Sequence, residues 1–297
     1  MPPASSERAD GDASLGPADA GDLIVVKRRP IGEWLLAALL VLTAASFASI
    51  FIGNEAMPWS VVWAYLFDPA ILVGARVTVT LTILVMAFSI LAGAMVAFMR
   101  LSRNPIIAGA SWLFLWIFRS VPVLVWLLFW YFLAALVPTL RIGIPWGPAL
   151  FEASTNDVVG QMGAAILGLG LTEAAYMAEI IRGGILSVSG GQREAALAIG
   201  MTRRQTMFKI VLPQALKTIL PATGNQVIST LKATSLVLLI GIPDLMTNVQ
   251  QIYIANFRQI PLLAVACLWY LAMTSLLSIV QYQLERMANR SDAGRRL

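Results

Sequence analysis

Residues 77–99 read VTVTLTILVMAFSILAGAMVAFM, 23 consecutive positions without a charge. About 20 apolar residues of helix are enough to cross the hydrocarbon core of a bilayer. Comparable runs recur at 35–52, 106–140, 157–181, 218–240 and 260–284. Inside lipid, every backbone N–H and C=O has to be bonded within the protein, and uninterrupted apolar runs meet that demand as helices. The chain therefore reads as an all-α integral membrane protein. Its composition agrees, with 12% charged residues against about 25% in an average soluble domain.

The residue inventory excludes several classes of function. There is no histidine, and the one cysteine, Cys267, lies in an apolar run. Zinc sites built on His and Cys, intrachain disulfides and histidine acid–base chemistry are thereby ruled out. No Gly-Lys dipeptide occurs, so the chain has no Gly-Lys-Ser/Thr phosphate loop, and any ATP must be bound by another chain. The net charge of +5 comes from basic residues placed mostly between apolar runs. That placement sets topology rather than binding nucleic acid.

Basic residues favour the cytosolic ends of membrane helices. Residues 1–30, rich in Ala, Gly, Pro, Ser and Asp, read as a disordered cytosolic tail, and 31–53 hold a first transmembrane helix behind Lys27, Arg28 and Arg29. The span at 77–99 ends at Arg100 and Arg103. The run 106–140 is too long for one straight span, since 35 helical residues would reach about 52 Å. Arg119 and Pro122 offer the break, with 106–118 along the cytosolic interface and 120–140 crossing. Residues 137–157 read as an external loop and 183–216 as a cytosolic loop between the spans at 157–181 and 218–240. Residues 244–259 read as polar and external, with a partly re-entrant path as the alternative, the last span as 260–284, and 288–297 as a cytosolic tail. Six spans with both termini inside follow, leaving Arg76, Arg141 and Arg258 outside.

The cytosolic loop contains GGQREAALAIGMTRRQTMFKIVLP, residues 190–213. Gly200 suits a helix C-terminus, and Thr202 with Gln205 suits a capping box, so two short helices hinged at a glycine are expected. Ala195, Ala196 and Ala198 would make a flat contact surface, Arg193 and Glu194 would fix a partner's orientation, and Ile210 and Leu212 would root the second helix before Pro213. On these grounds alone, an ordinary amphipathic surface loop is an equal reading.

The order Glu194-Ala195-Ala196, three residues, Gly200, nine residues, Ile210-x-Leu212-Pro213 resembles the signature of permease subunits of ATP-binding-cassette importers. FRSVPVLVWLLFWYF (118–132), AAYMAEIIRGGI (174–185) and NQVISTLKATSL (225–236) resemble the polar amino-acid uptake branch, although Ser120 and Val121 replace the usual Gly and Thr. The resemblance covers 74–287. It implies a five-span type I importer core, to which the helix at 31–53 is an addition, with a cytosolic coupling-helix loop. Its implied partners are a second permease chain, two ATPase subunits that bind ATP and Mg, and an extracytoplasmic binding protein that delivers a polar amino acid. The chain itself would be no enzyme, bind no cofactor or metal, and sit in a bacterial inner membrane. An ion-gradient-driven transporter or channel is the alternative, but no inverted repeat supports it.

Charged groups within spans cost about 2.5–3.5 kcal/mol each on the insertion scale, so each requires a reason. Glu173 falls about 24 Å down its span, near Thr172 and Tyr176. It either lines a cavity or bonds a neighbouring helix. Asn225 and Lys232 are seven residues apart, close to two turns, and share a face expected to look into the bundle beside Thr234 and Ser235. Lys232 would line the path or pair with a carboxylate such as Glu173. Glu179 and Arg182 are expected to pair locally, Arg119 to snorkel or brace the elbow, and Thr78 and Thr82 to bond between helices.

Overall fold

In the computed structural model the described residues are 31–144 and 149–293. The expected N-terminal tail, the centre of the loop at 145–148 and the last four residues fall outside them. The chain divides after Asn54 into two units. The first contributes α1 (Ile31–Phe51), whose segment Gly32–Ile50 is long and apolar enough to cross a membrane.

The second unit is a helical bundle. Short α2 (Trp59–Leu66) leads into α3 (Pro69–Arg100). The α3 helix begins eight residues before the expected 77, because Asp68 accepts a hydrogen bond from the Ala70 N–H at 2.8 Å and Pro69 occupies the first turn. Both are ordinary helix-start signals. Asn104 caps α4 (Pro105–Ser120) in the same way, accepting from the Ile106 N–H at 2.9 Å.

A break falls where Arg119 and Pro122 place it. Val121, preceding proline, is extended (ψ 134°), and the chain turns by 99° into α5 (Val123–Tyr131). Phe118 and Trp126 close the elbow with ring centroids 4.7 Å apart. The expected crossing over 120–140 is not one helix. After α5 come a single turn, α6 (Leu133–Leu136), and an antiparallel hairpin, β1 (Thr139–Gly143) with β2 (Ala149–Ser154). The protein is mostly helical rather than all-α, since alternation in Leu140-Arg141-Ile142 and Leu150-Phe151-Glu152 carries a ladder through the expected loop.

The long α7 (Thr155–Leu186) lies at the centre, with α3, α5 and α10 (Leu212–Ala233) against it. Small residues let the backbones meet. A Cβ on Gly93 of α3 would stand 2.7 Å from the Met177 Cβ, and one on Gly168 of α7 would stand 2.6 Å from the Leu127 Cα. Such close approach is how helices associate where lipid removes the hydrophobic drive between them.

Beyond α10 the helix tightens to a 3-10 segment, Thr234–Ile240, stopped by Gly241 at φ 77°. The stretch expected to be polar and external, with a re-entrant path left open, forms α11 (Leu245–Asn256), bent by 48° from the segment before it and with one face buried. Polar residues at its start are internal fastenings. The Asp244 carboxylate accepts from the Thr247 N–H at 2.9 Å and its hydroxyl at 2.7 Å, while Asn248 donates to the Ala70 carbonyl at 2.7 Å. The final helix, α12 (Gln259–Ala293), continues past the expected end at 284. Among the described residues, four helices are long and apolar enough to span a membrane, or six if each bent pair counts as one span.

Candidate coupling loop and intramembrane polar groups

At the end of α7 the chain enters α8 (Gly190–Ala198). Its C-terminus is closed by Gly200 at φ 84°, with the Gly200 N–H donating to Leu197 O at 3.0 Å and the Met201 N–H to Ala196 O at 3.1 Å. This pair of bonds is a Schellman closure, which needs a left-handed residue at the glycine position. The capping box follows as expected: Thr202 Oγ1 accepts from the Gln205 N–H at 3.3 Å, and the Thr202 N–H donates to Gln205 Oε1 at 2.9 Å.

The second helix is not a separate piece. α9 (Arg203–Thr206) runs through a π-turn, Met207–Val211, directly into α10. Pro213 thus lies in the first turn of α10 rather than ending a helix. Proline donates no hydrogen bond, and its ring crowds the carbonyl four residues back. The widened turn, in which the Leu212 N–H reaches Met207 O, lets the helix pass that point unbroken.

Two expected roles shift. Arg193 turns inward, its Nη2 donating to the Ile185 carbonyl at 2.8 Å, and so fastens α8 to α7 instead of facing outward. Ile210 and Leu212 are half-buried, and the residue that roots the segment is Val211 between them, 1% exposed, in one core with Ala215 and Ile219. Ala196 also packs inward. The open surface consists of Glu194, Ala195, Leu197, Ala198 and Ile199, with Phe208 also exposed. Leu197 and Ile199 were missed. The signal was present, because large apolar side chains within a polar loop have nothing of their own to pack against.

In the spans, Glu173 is buried (6% exposed) and accepts a hydrogen bond from Gln226 of α10. Gln226 is the partner that the sequence reading passed over. Asn225 and Lys232 do share a face, and both are exposed on it. Lys232 is not the partner of Glu173. Asn225 accepts from Gln281 of α12 at 3.1 Å. Thr234 and Ser235 spend their hydroxyls on carbonyls three residues back, Leu231 and Lys232, both at 2.7 Å. Tyr176 is exposed, with the Arg119 guanidinium 5.4 Å over its ring.

Glu179 and Arg182 form the expected ion pair at 2.6 Å. Thr78 reaches α11, accepting from the Leu245 N–H at 3.1 Å. Thr82 instead bonds its own helix at the Thr78 carbonyl.

Residues 89–289 match the family of binding-protein-dependent transport system inner membrane components. The chain belongs to this family. An arginine transport system permease protein of Corynebacterium glutamicum is 41% identical over 93% of this permease and 87% of its own length. A glutamine transport system permease protein of Escherichia coli K12 is 32% identical over 77% and 96% of the two chains. Among solved structures, an amino acid ABC transporter with histidines superimposes with TM-score 0.63 at 32% identity, covering 74% of the permease and 95% of that chain. The inward-facing MetNI methionine ABC transporter shares the fold, with TM-score 0.59 at 20% identity over 79% and 99%. Permeases of this family are transport components rather than enzymes.

Proposed function

We propose that the permease is the translocating subunit of an ATP-driven importer for a polar amino acid, with arginine the first candidate cargo. The observation that carries this reading is the 41% identity, over nearly the whole chain, to an arginine permease. In this account the core is a five-span type I permease with α1 as an added span, and both termini lie in the cytosol. An external binding protein delivers the cargo, and two partner ATPases hydrolyse ATP.

The α8 surface of Glu194, Ala195 and Ala198 docks on an ATPase subunit, helped by Leu197 and Ile199. Two features support it. The Schellman closure at Gly200 and the Arg193 fastening hold α8 rigidly, and the unbroken path from α9 into α10 carries motion into a span. A second permease chain closes over the face that bears Lys232, which is exposed. Glu173 acts as the fastening between α7 and α10 rather than as a cargo ligand.

Reconstitution in proteoliposomes with the cognate ATPase and binding protein tests the proposal. Labelled arginine is expected to enter when ATP is supplied on the ATPase side, with uptake indifferent to ionophores. Uptake that follows an imposed ion gradient without ATP contradicts it.

A further inference from the structure

Between the last residue of α3 and the outer face of α4 lies a cavity of about 360 Å³, to which the transport reading gives no role. It falls within the range of small-ligand sites, about 300–1,000 Å³. Its walls include Arg100, Trp112, Trp116, Arg119 and Glu179. Arg100 closes the apolar segment Pro69–Arg100, so it stands where a span leaves the hydrocarbon. Arg119 sits at the elbow, held over the Tyr176 ring, a contact that leaves its N–H donors available. Among the described residues neither arginine makes an ion pair.

The charge of Glu179 is offset by Arg182, which bonds its Oε2 at 2.6 Å, leaving the cavity with an excess of cationic donors. Beside them the Trp112 and Trp116 rings stack, 6.3 Å apart and 9° from parallel, and are 52% and 57% exposed. Paired arginines recognise phosphate oxygens, and exposed tryptophans at the end of a span belong at the headgroup level of a bilayer.

We propose that this cavity binds the phosphodiester headgroup of an anionic phospholipid, with Arg100 and Arg119 on the phosphate and the tryptophan pair along the glycerol. An amino-acid cargo fits less well, because its ammonium group would face two arginines and a single carboxylate whose charge Arg182 already offsets. A free phosphate would leave the tryptophan shelf without a role. The inference rests on the proposed topology only in placing this end of α3 at the membrane surface. Basic pockets at that level hold acidic lipid headgroups in general.

Native mass spectrometry of the full chain in mild detergent, titrated with phosphatidylglycerol, tests it. Wild type is expected to carry phosphatidylglycerol in preference to phosphatidylcholine. The R100Q/R119Q variant should bind it about 10- to 30-fold more weakly, at about 1 kcal/mol per arginine, and R100K/R119K should recover part of the loss. W112L/W116L should weaken binding with both arginines in place, which covers the case in which R100Q/R119Q fails to fold. R203Q/R204Q, on the loop, should bind as wild type does. Equal phosphatidylglycerol binding by wild type and R100Q/R119Q overturns the proposal, as does displacement of the lipid by millimolar inorganic phosphate. The readout needs neither ATP nor uptake, so it fails independently of the transport assignment.

Discussion

Glu173 and Gln226 show what a single pair does in this bundle. A buried carboxylate without a partner is costly, whereas one that accepts from a neighbouring span joins the two helices. Gln226→Leu is expected to destabilise the protein by about 1–3 kcal/mol, the cost of leaving a buried polar group unpaired. Glu173→Gln, which keeps an acceptor, should cost less. Thermal unfolding in detergent checks both, and a stable Gln226→Leu protein would remove Glu173 from its fastening role. At Gly200, the left-handed φ of 84° predicts that Gly200→Ala loosens the loop by about 1–2 kcal/mol, seen as faster amide exchange confined to α8 and α9.

Residue spacing made the Glu173 alternatives and the Glu179–Arg182 pair legible in the sequence. It did not reveal which way the Asn225–Lys232 face points. A seven-residue interval fixes that two side chains share a face, but not whether that face meets the chain's own core. Apolar periodicity normally settles this, and here it fails.

Among the elements, the elbow at Pro122 and the break at Gly200 were readable because proline and glycine act through local backbone geometry. The hairpin and α11 were not. The hairpin rests on alternation too brief to stand out beside the prolines and glycines of its loop, whereas α11 is held by Thr78 and Ala70 of α3, distant in sequence. The start of α3 was misplaced for a different reason. Apolar content marked the membrane-spanning part, while the Asp68 cap and Pro69 mark the helix. Close contact on α7 predicts that Gly168→Leu cannot be accommodated, because the Cβ alone would lie 2.6 Å from the Leu127 backbone. Overpacking of this kind costs about 1–3 kcal/mol or more. Loss of the folded protein by size-exclusion chromatography is expected, with Gly163→Ala, whose Cβ would meet nothing nearer than Val159 Cγ1 at 3.7 Å, as the tolerated comparison.

For the whole molecule, the family match begins at residue 89, inside α3, and the chain divides after Asn54; the proposed core begins between these two points. Removing residues 1–53 is therefore expected to leave a membrane-inserted core that still binds its ATPase in pull-down assays. Loss of insertion would assign α1 a structural duty. The proposed coupling is a transmission: a rigid α8 seated on an ATPase, and an unbroken helix that carries its displacement into the spans. The direct measurement is stimulation of ATP hydrolysis by the loaded binding protein, in the complex reconstituted with wild type or with Glu194→Lys. Wild type should be stimulated, and Glu194→Lys should lose that response by more than about tenfold, the scale of a charge reversed at a docking surface, while remaining inserted in the membrane. Undiminished stimulation in Glu194→Lys would contradict α8 as the point of coupling.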